Sequence, residues 1–190
     1  MARQVLQFGD PDRFVVGTVG MPGERTFFLQ ARQGSTLTSV VIEKQQAVVL
    51  AERIDQLLNE VQQLHATSDS AGVQIPEQAD PSMIDGDPLD VPIVEEFRVG
   101  AMALGWDDAK ARLVVEAHAV TEEGDVPEIG DDTSDGPDTL RVWLDPARAR
   151  GFTERTRVVV AAGRPPCPFC AQPLDPAGHI CPRANGYRRR

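Results

Sequence analysis

The spacing of apolar positions changes period along the chain. Residues 4–8, 14–19, 25–32 and 36–42 are short runs rich in β-branched and aromatic side chains, separated by Gly9-Asp-Pro-Asp12, Gly20-Met-Pro-Gly23 and Gln33-Gly34-Ser35. Such runs between turn formers predict strands in an antiparallel meander. In the third run Phe27, Leu29 and Ala31 fall on one face and Phe28 on the other, because strand side chains alternate. The period then lengthens. Ala47, Leu50, Ile54, Leu57, Val61 and Leu64 recur three or four residues apart, with Glu52, Arg53, Asp55, Asn59 and Glu60 on the opposite side. That pattern predicts an amphipathic helix whose apolar stripe crosses the sheet.

The order then repeats. Residues 95–104 and 110–120 read as strands about the turn Gly105-Trp-Asp-Asp108, and residues 139–144 as a third. Asp145-Pro146 is an N-cap with proline at the first helical position. Ala149, Phe152, Thr156 and Val159 continue at helical spacing, Gly163 is a C-cap, and Pro165-Pro166 end the helix. Gly151 and the run Val158-Val159-Val160 favour a terminal strand as the alternative. The expected fold is α+β: antiparallel sheet with two helices in a duplicated strands-then-helix layout, followed by a small C-terminal zinc knuckle. A body of residues 1–163 has halves 1–65 and 93–163 joined by an acidic linker, 66–92, and a zinc-binding tail covers 164–190. Neither half covers its sheet alone, so the two pack as one domain. This layout is similar to the Whirly/PUR type of domain that binds single-stranded nucleic acid. The stretch 25–64, strand-turn-strand-long helix, resembles a PUR repeat.

Composition narrows the class. The chain has 190 residues and is 41% hydrophobic, enough for one ordinary core and an appendage. No run approaches the length of a membrane span. Met1-Ala-Arg-Gln leads straight into a predicted strand, which predicts no leader peptide. Net charge is −10, which opposes nucleic acid on its face. The charge is uneven, however. Residues 164–190 carry five arginines and one acid, residues 66–92 six acids and no base, and residues 121–138 eight acids and no base. Acidic stretches of this Pro/Gly-rich kind predict solvated, mobile loops.

The tail holds the chemistry. Cys167-Pro-Phe-Cys170 and His179-Ile-Cys181 contain all three cysteines of the chain. Three thiolates and an imidazole complete a tetrahedral zinc site, leaving no open position for a catalytic water. Pro168 and Pro182 follow Cys167 and Cys181 alike, giving two similar half-sites. Iron is the other metal that thiolates accept. A redox dithiol at Cys167/Cys170 is the competing reading, but the prolines on both sides suit the helix of such a site poorly. So short a segment needs metal to fold. Metal-type cysteines point to a reducing cytoplasm.

The whole chain resembles an actinobacterial protein family known as domain of unknown function 3090. The resemblance is carried by Cys167-Pro-Phe-Cys170, Pro173-Leu-Asp-Pro176, Gly178-His-Ile-Cys181-Pro-Arg and Asn185-Gly-Tyr187, with weaker support from 27–33 and Trp143-Leu-Asp-Pro146. It implies a zinc-ribbon-like Cys3His tail and no assigned activity. Ala171 departs from the glycine that many knuckles place there.

Catalytic signatures are few. Gly17-Thr-Val-Gly20 lacks the Lys-Ser/Thr of a phosphate loop and the spacing of a dinucleotide fingerprint, and no serine elbow occurs. His65 and His118 are the remaining histidines for acid–base work, and Asp107-Asp108 is a conceivable cation turn. The expected function is a non-enzymatic adaptor or regulatory protein whose tail docks a protein partner through exposed Phe169 and Tyr187 and through Arg183, Arg188, Arg189 and Arg190. The alternatives are a single-strand nucleic-acid binder using the same arginines, and an enzyme with an unrecognised site. No membrane partner is expected.

Overall fold

Gly34, at φ 57°, closes the two-residue link between β3 (Thr26–Gln33) and β4 (Thr36–Ile42), a backbone conformation that glycine takes at little cost. In the computed structural model, which describes residues 3–66, 74–122, 127–133, 135–163, 167–170, 174, 181 and 183, these strands and β2 (Arg13–Val19) form the expected antiparallel meander. β4 runs into α1 (Lys44–Ala66). The chain returns as β5 (Glu95–Asp107), parallel to β4, and continues through β6 (Arg112–Ala119) and β7 (Thr139–Leu144), each antiparallel to its predecessor. Asp145 accepts the Arg148 N–H at 2.9 Å and caps α2 (Pro146–Ala161). The helical reading of this segment holds over the strand alternative, and its C-cap is Ala162 instead of Gly163.

Several expectations change. The β5–β6 turn falls at 108–111, with Ala111 at φ 53°, so Gly105 and Trp106 lie inside β5. Trp106 packs on the core, and Asp107 accepts the Lys110 N–H at 3.0 Å and the Trp143 indole N–H at 3.2 Å; those contacts extend the strand. In α1 the residue buried at the centre of the stripe is Leu58, while Leu57 is only half-buried and Leu64 is 68% exposed. Asp55 and Asn59 face α2, where both accept from Arg150 at 2.5 Å.

The largest change concerns β1 (Val5–Phe8). It does not join the meander but pairs in parallel with β7, giving the order β1-β7-β6-β5-β4-β3-β2. β1 and β2 are therefore opposite edges, yet only residues 9–12 connect them. Such a link stretches to roughly 17 Å, whereas the edges of a flat seven-stranded sheet would stand about 29 Å apart at ordinary strand spacing. The sheet is strongly curled. One cluster joins Phe8 and Phe14 from the two edges to Leu29, Val40, Val115 and Leu140, with Leu50, Ile54 and Leu58 of α1 and Phe152 of α2. Both helices thus lie on the inside of the curl, where Phe14 and Phe152 stack with ring centroids 4.8 Å apart.

The outer face is covered by the acidic segments. Residues 85–93 lie across β2–β4: Leu89 joins Val15, Phe28 and Val41 in a second small cluster. Asp85 takes Arg13 at 2.6 Å, and Asp90 takes Arg32 at 3.1 Å. Residues 127–133 and 135–138 cross β5–β7 in the same way, with Ile129 set over Gly105. There Asp131 meets Arg3 at 3.1 Å, and Asp132 meets Arg141 at 2.6 Å. The described parts of both acidic stretches are straps clamped by arginines, which corrects the expectation of solvated, mobile loops. Asp85, Asp90, Asp131 and Asp132 are the counter-charges, while Glu77, Asp80, Asp87 and Asp135 remain exposed to solvent.

Candidate metal centre

The described residues of the tail converge. Cys167, Cys170 and Cys181 bring one sulfur each to within 4.8 Å of one another, and the Cys167 and Cys181 sulfurs lie 3.8 Å apart. Cys167 and Cys181 are buried and Cys170 is half-buried. Residues 168–170 form a turn whose N–H groups point back at the first cysteine. The N–H groups of Cys170 and then Phe169 pull the Cys167 thiol down to about 7, since hydrogen bonds to a thiolate favour its charged form. A thiolate is the state a metal requires. Arg183 donates to the Phe169 carbonyl oxygen at 3.2 Å, tying the turn to the strand of chain beyond Cys181. Phe169 itself is 62% exposed.

The three cysteines can therefore hold a metal ion. His179, the expected fourth ligand, and Tyr187, Arg188, Arg189 and Arg190 lie outside the described residues. The donor set fits: three converging sulfurs, one already biased towards thiolate, suit a soft or borderline cation such as zinc or iron. A dithiol needs only two sulfurs at hand, and the third, Cys181, has no part in that scheme.

The other candidates resolve into structural roles. His65 stands edge-on to Trp106, ring centroids 6.3 Å apart. Asp107 is taken up by Lys110 and Trp143, which removes it as a cation ligand. His118 is 1% exposed and its Nδ1 lies 3.0 Å from the Thr139 hydroxyl. Burial holds this imidazole below the ordinary histidine range; Glu116 opposes that, while Arg3 and Arg141 add to it.

Sequence reasoning missed the ionic cluster around His118. Glu116, 0% exposed, pairs with Arg141 and accepts the Gly130 N–H at 2.9 Å. The only sequence signal is a polar alternation, Glu116 and His118 on β6 with Thr139 and Arg141 on β7, on the face away from the helices. With Glu116, His118, Thr139 and Arg141 all buried, the cluster is closed to a substrate, and its charges fasten the second strap.

Among the described residues no helix is long and apolar enough to cross a membrane. A family model described as "Protein of unknown function (DUF3090)" matches residues 6–181, which takes in all but the first five residues of the body and all three cysteines. No curated protein and no solved structure matches the chain.

Proposed function

From the premise that the chain belongs to the DUF3090 family of proteins of unknown function, we propose that it is a zinc-binding, non-enzymatic adaptor or regulatory protein whose Cys3His tail docks a protein partner. One observation carries this reading: three sulfurs lie within 4.8 Å of one another, two of them flanking a tight turn on which Phe169 is 62% exposed. Zinc with Cys167, Cys170, Cys181 and His179 would close the coordination shell and rigidify the turn. An aromatic ring held on a rigid, metal-stapled turn loses little entropy on docking, the property that makes aromatic anchors effective at interfaces. Binding of single strands on the sheet is the weaker reading, because the inner face holds the helices and the outer face holds the straps.

The test couples metal content to partner capture. Purified full-length protein should contain one equivalent of zinc by mass spectrometry. A partner retained by the wild type should be lost with Phe169→Ala while zinc stays bound, and lost together with zinc in Cys181→Ser. Metal-free protein after reducing purification would sink the knuckle and reopen the dithiol. Loss of zinc with an unchanged partner profile would sink the docking role. Salt-steep capture of single-stranded DNA or RNA, lost on removing Arg188–Arg190, would replace the adaptor with the nucleic-acid reading.

A further inference from the structure

This chain carries a surplus of acid, and the fold uses it to pair its cations. Among the described residues every arginine and lysine has a carboxylate partner except Arg25, Lys44, Arg53 and Arg183. Arg53 donates to Gln56 and Arg183 to the Phe169 carbonyl. Arg25 and Lys44 remain, and they converge. They line one open cleft of about 650 Å³ between the start of α1, the start of β3 and the end of α2. A Cβ built on Gly163 would sit 3.4 Å from an Arg25 guanidinium nitrogen and 3.7 Å from the Lys44 ammonium. Two cations directed at one point repel each other unless an anion stands between them.

The cleft is built for more than a lone ion. Phe27, Val41 and Ile42, all buried, are part of its lining, and Arg98 stands at its edge, held by Glu43 at 2.8 Å. Arg25 lies over the Phe27 ring, 5.6 Å from its centroid, which keeps its fork over the cleft. The first turn of α1 contains no acid, so its positive end reinforces the field. A volume in the range of small-molecule sites with a few convergent cations suits a small anionic ligand. The competing explanation is that the two cations offset the carboxyl end of α2. The Val160 carbonyl oxygen lies 3.8 Å from the same point, but neither cation hydrogen-bonds a carbonyl among the described residues, so the helix end offsets their charge only through space.

We propose that this cleft is a binding site for a small phosphorylated ligand, with Arg25 and Lys44 holding the phosphoryl group. Two unpaired positive charges match a phosphoryl dianion, whereas a single carboxylate would leave one uncompensated. Arg98 is neutralised by Glu43 and is the reserve cation. The site is independent of the metal-bearing tail and of the docking role proposed for it.

Calorimetric titration of the full-length, metal-loaded protein with pyrophosphate, at low ionic strength, tests the site. Saturable binding is expected. Arg25→Gln with Lys44→Gln should weaken it by about tenfold or more, the scale of lost charge-assisted hydrogen bonds, with the melting temperature unchanged. Glu43→Gln should tighten binding severalfold by releasing Arg98, an effect that a purely structural role for these residues would not produce. Titration that fails to saturate below about 10 mM, a weak limit for a specific site, would overturn the proposal. So would binding unaltered in the double variant, or malonate binding as tightly as pyrophosphate.

Discussion

Leu58, and not Leu57, shows where sequence periodicity stops at the residue scale. Both positions sit near the apolar stripe of α1, and a helical wheel separates them by one step of 100°. Which one is buried depends on how the helix is rotated against the sheet. Leu58 is fully buried, whereas Leu64 at the end of the predicted stripe is exposed. Leu58→Ala should therefore cost about 2–5 kcal/mol and Leu64→Ala under about 0.5 kcal/mol; chemical denaturation of both variants measures the contrast. His118 offers a second prediction. Its folded-state pKa is depressed, chiefly by burial, so the unfolded chain binds the proton first. Stability is then full above the ordinary histidine value, about 6.5, and declines as pH falls from there towards the lower folded value. Urea unfolding between pH 8 and pH 5 should show this slope in the wild type and a flatter one in His118→Gln. Carboxylates such as Asp85, held low first by Arg13, lose their contribution in a more acidic window.

At the scale of elements, α1, the β2–β3–β4 meander and the Asp145-capped α2 were legible because each rests on local chemistry. Period, turn residues and caps are written within a few positions of where they act. The straps were not legible, because their chemistry is split between distant positions: Asp85 is acidic in the sequence and becomes a counter-charge only when Arg13 and Arg155 reach it. Gly151 belongs to the same class. It reads as a defect in a helix, yet its missing side chain admits the chain at Pro81–Met83, whose Met83 carbonyl oxygen a Cβ would overlap. Gly17 does the same for the other side of this strap, where a Cβ would lie 2.5 Å from Leu89 Cγ. Gly151→Ala should thus destabilise by about 1–3 kcal/mol despite the higher helix propensity of alanine. Gly17→Ala should lift the strap over β2–β4, read as faster proteolysis within residues 85–93. Gly151→Ala more stable than wild type would show that Met83 yields freely.

At the scale of the whole molecule, a curled sheet encloses both helices, two acidic straps close its outer face, and a tail with a cluster of three cysteines follows α2. The body has its own clusters of buried side chains, while the tail gathers three thiols. Chelation should therefore increase amide exchange and proteolysis in residues 165–185 and leave the main cooperative unfolding transition in place. Collapse of that transition on metal removal would make the site integral to the core. The sequence by itself determined the α+β class, the helix and strand order and the thiol cluster, since periodicity, capping and ligand spacing act over short stretches of chain. The tertiary structure alone decided that β1 crosses to β7, that acidic segments pair with buried arginines, and that Arg25 and Lys44 converge with no carboxylate partner among the described residues. Those facts depend on residues up to 139 positions apart, as between Arg155 and the Val16 carbonyl, and no local pattern encodes which distant charge a side chain will meet once the chain closes on itself.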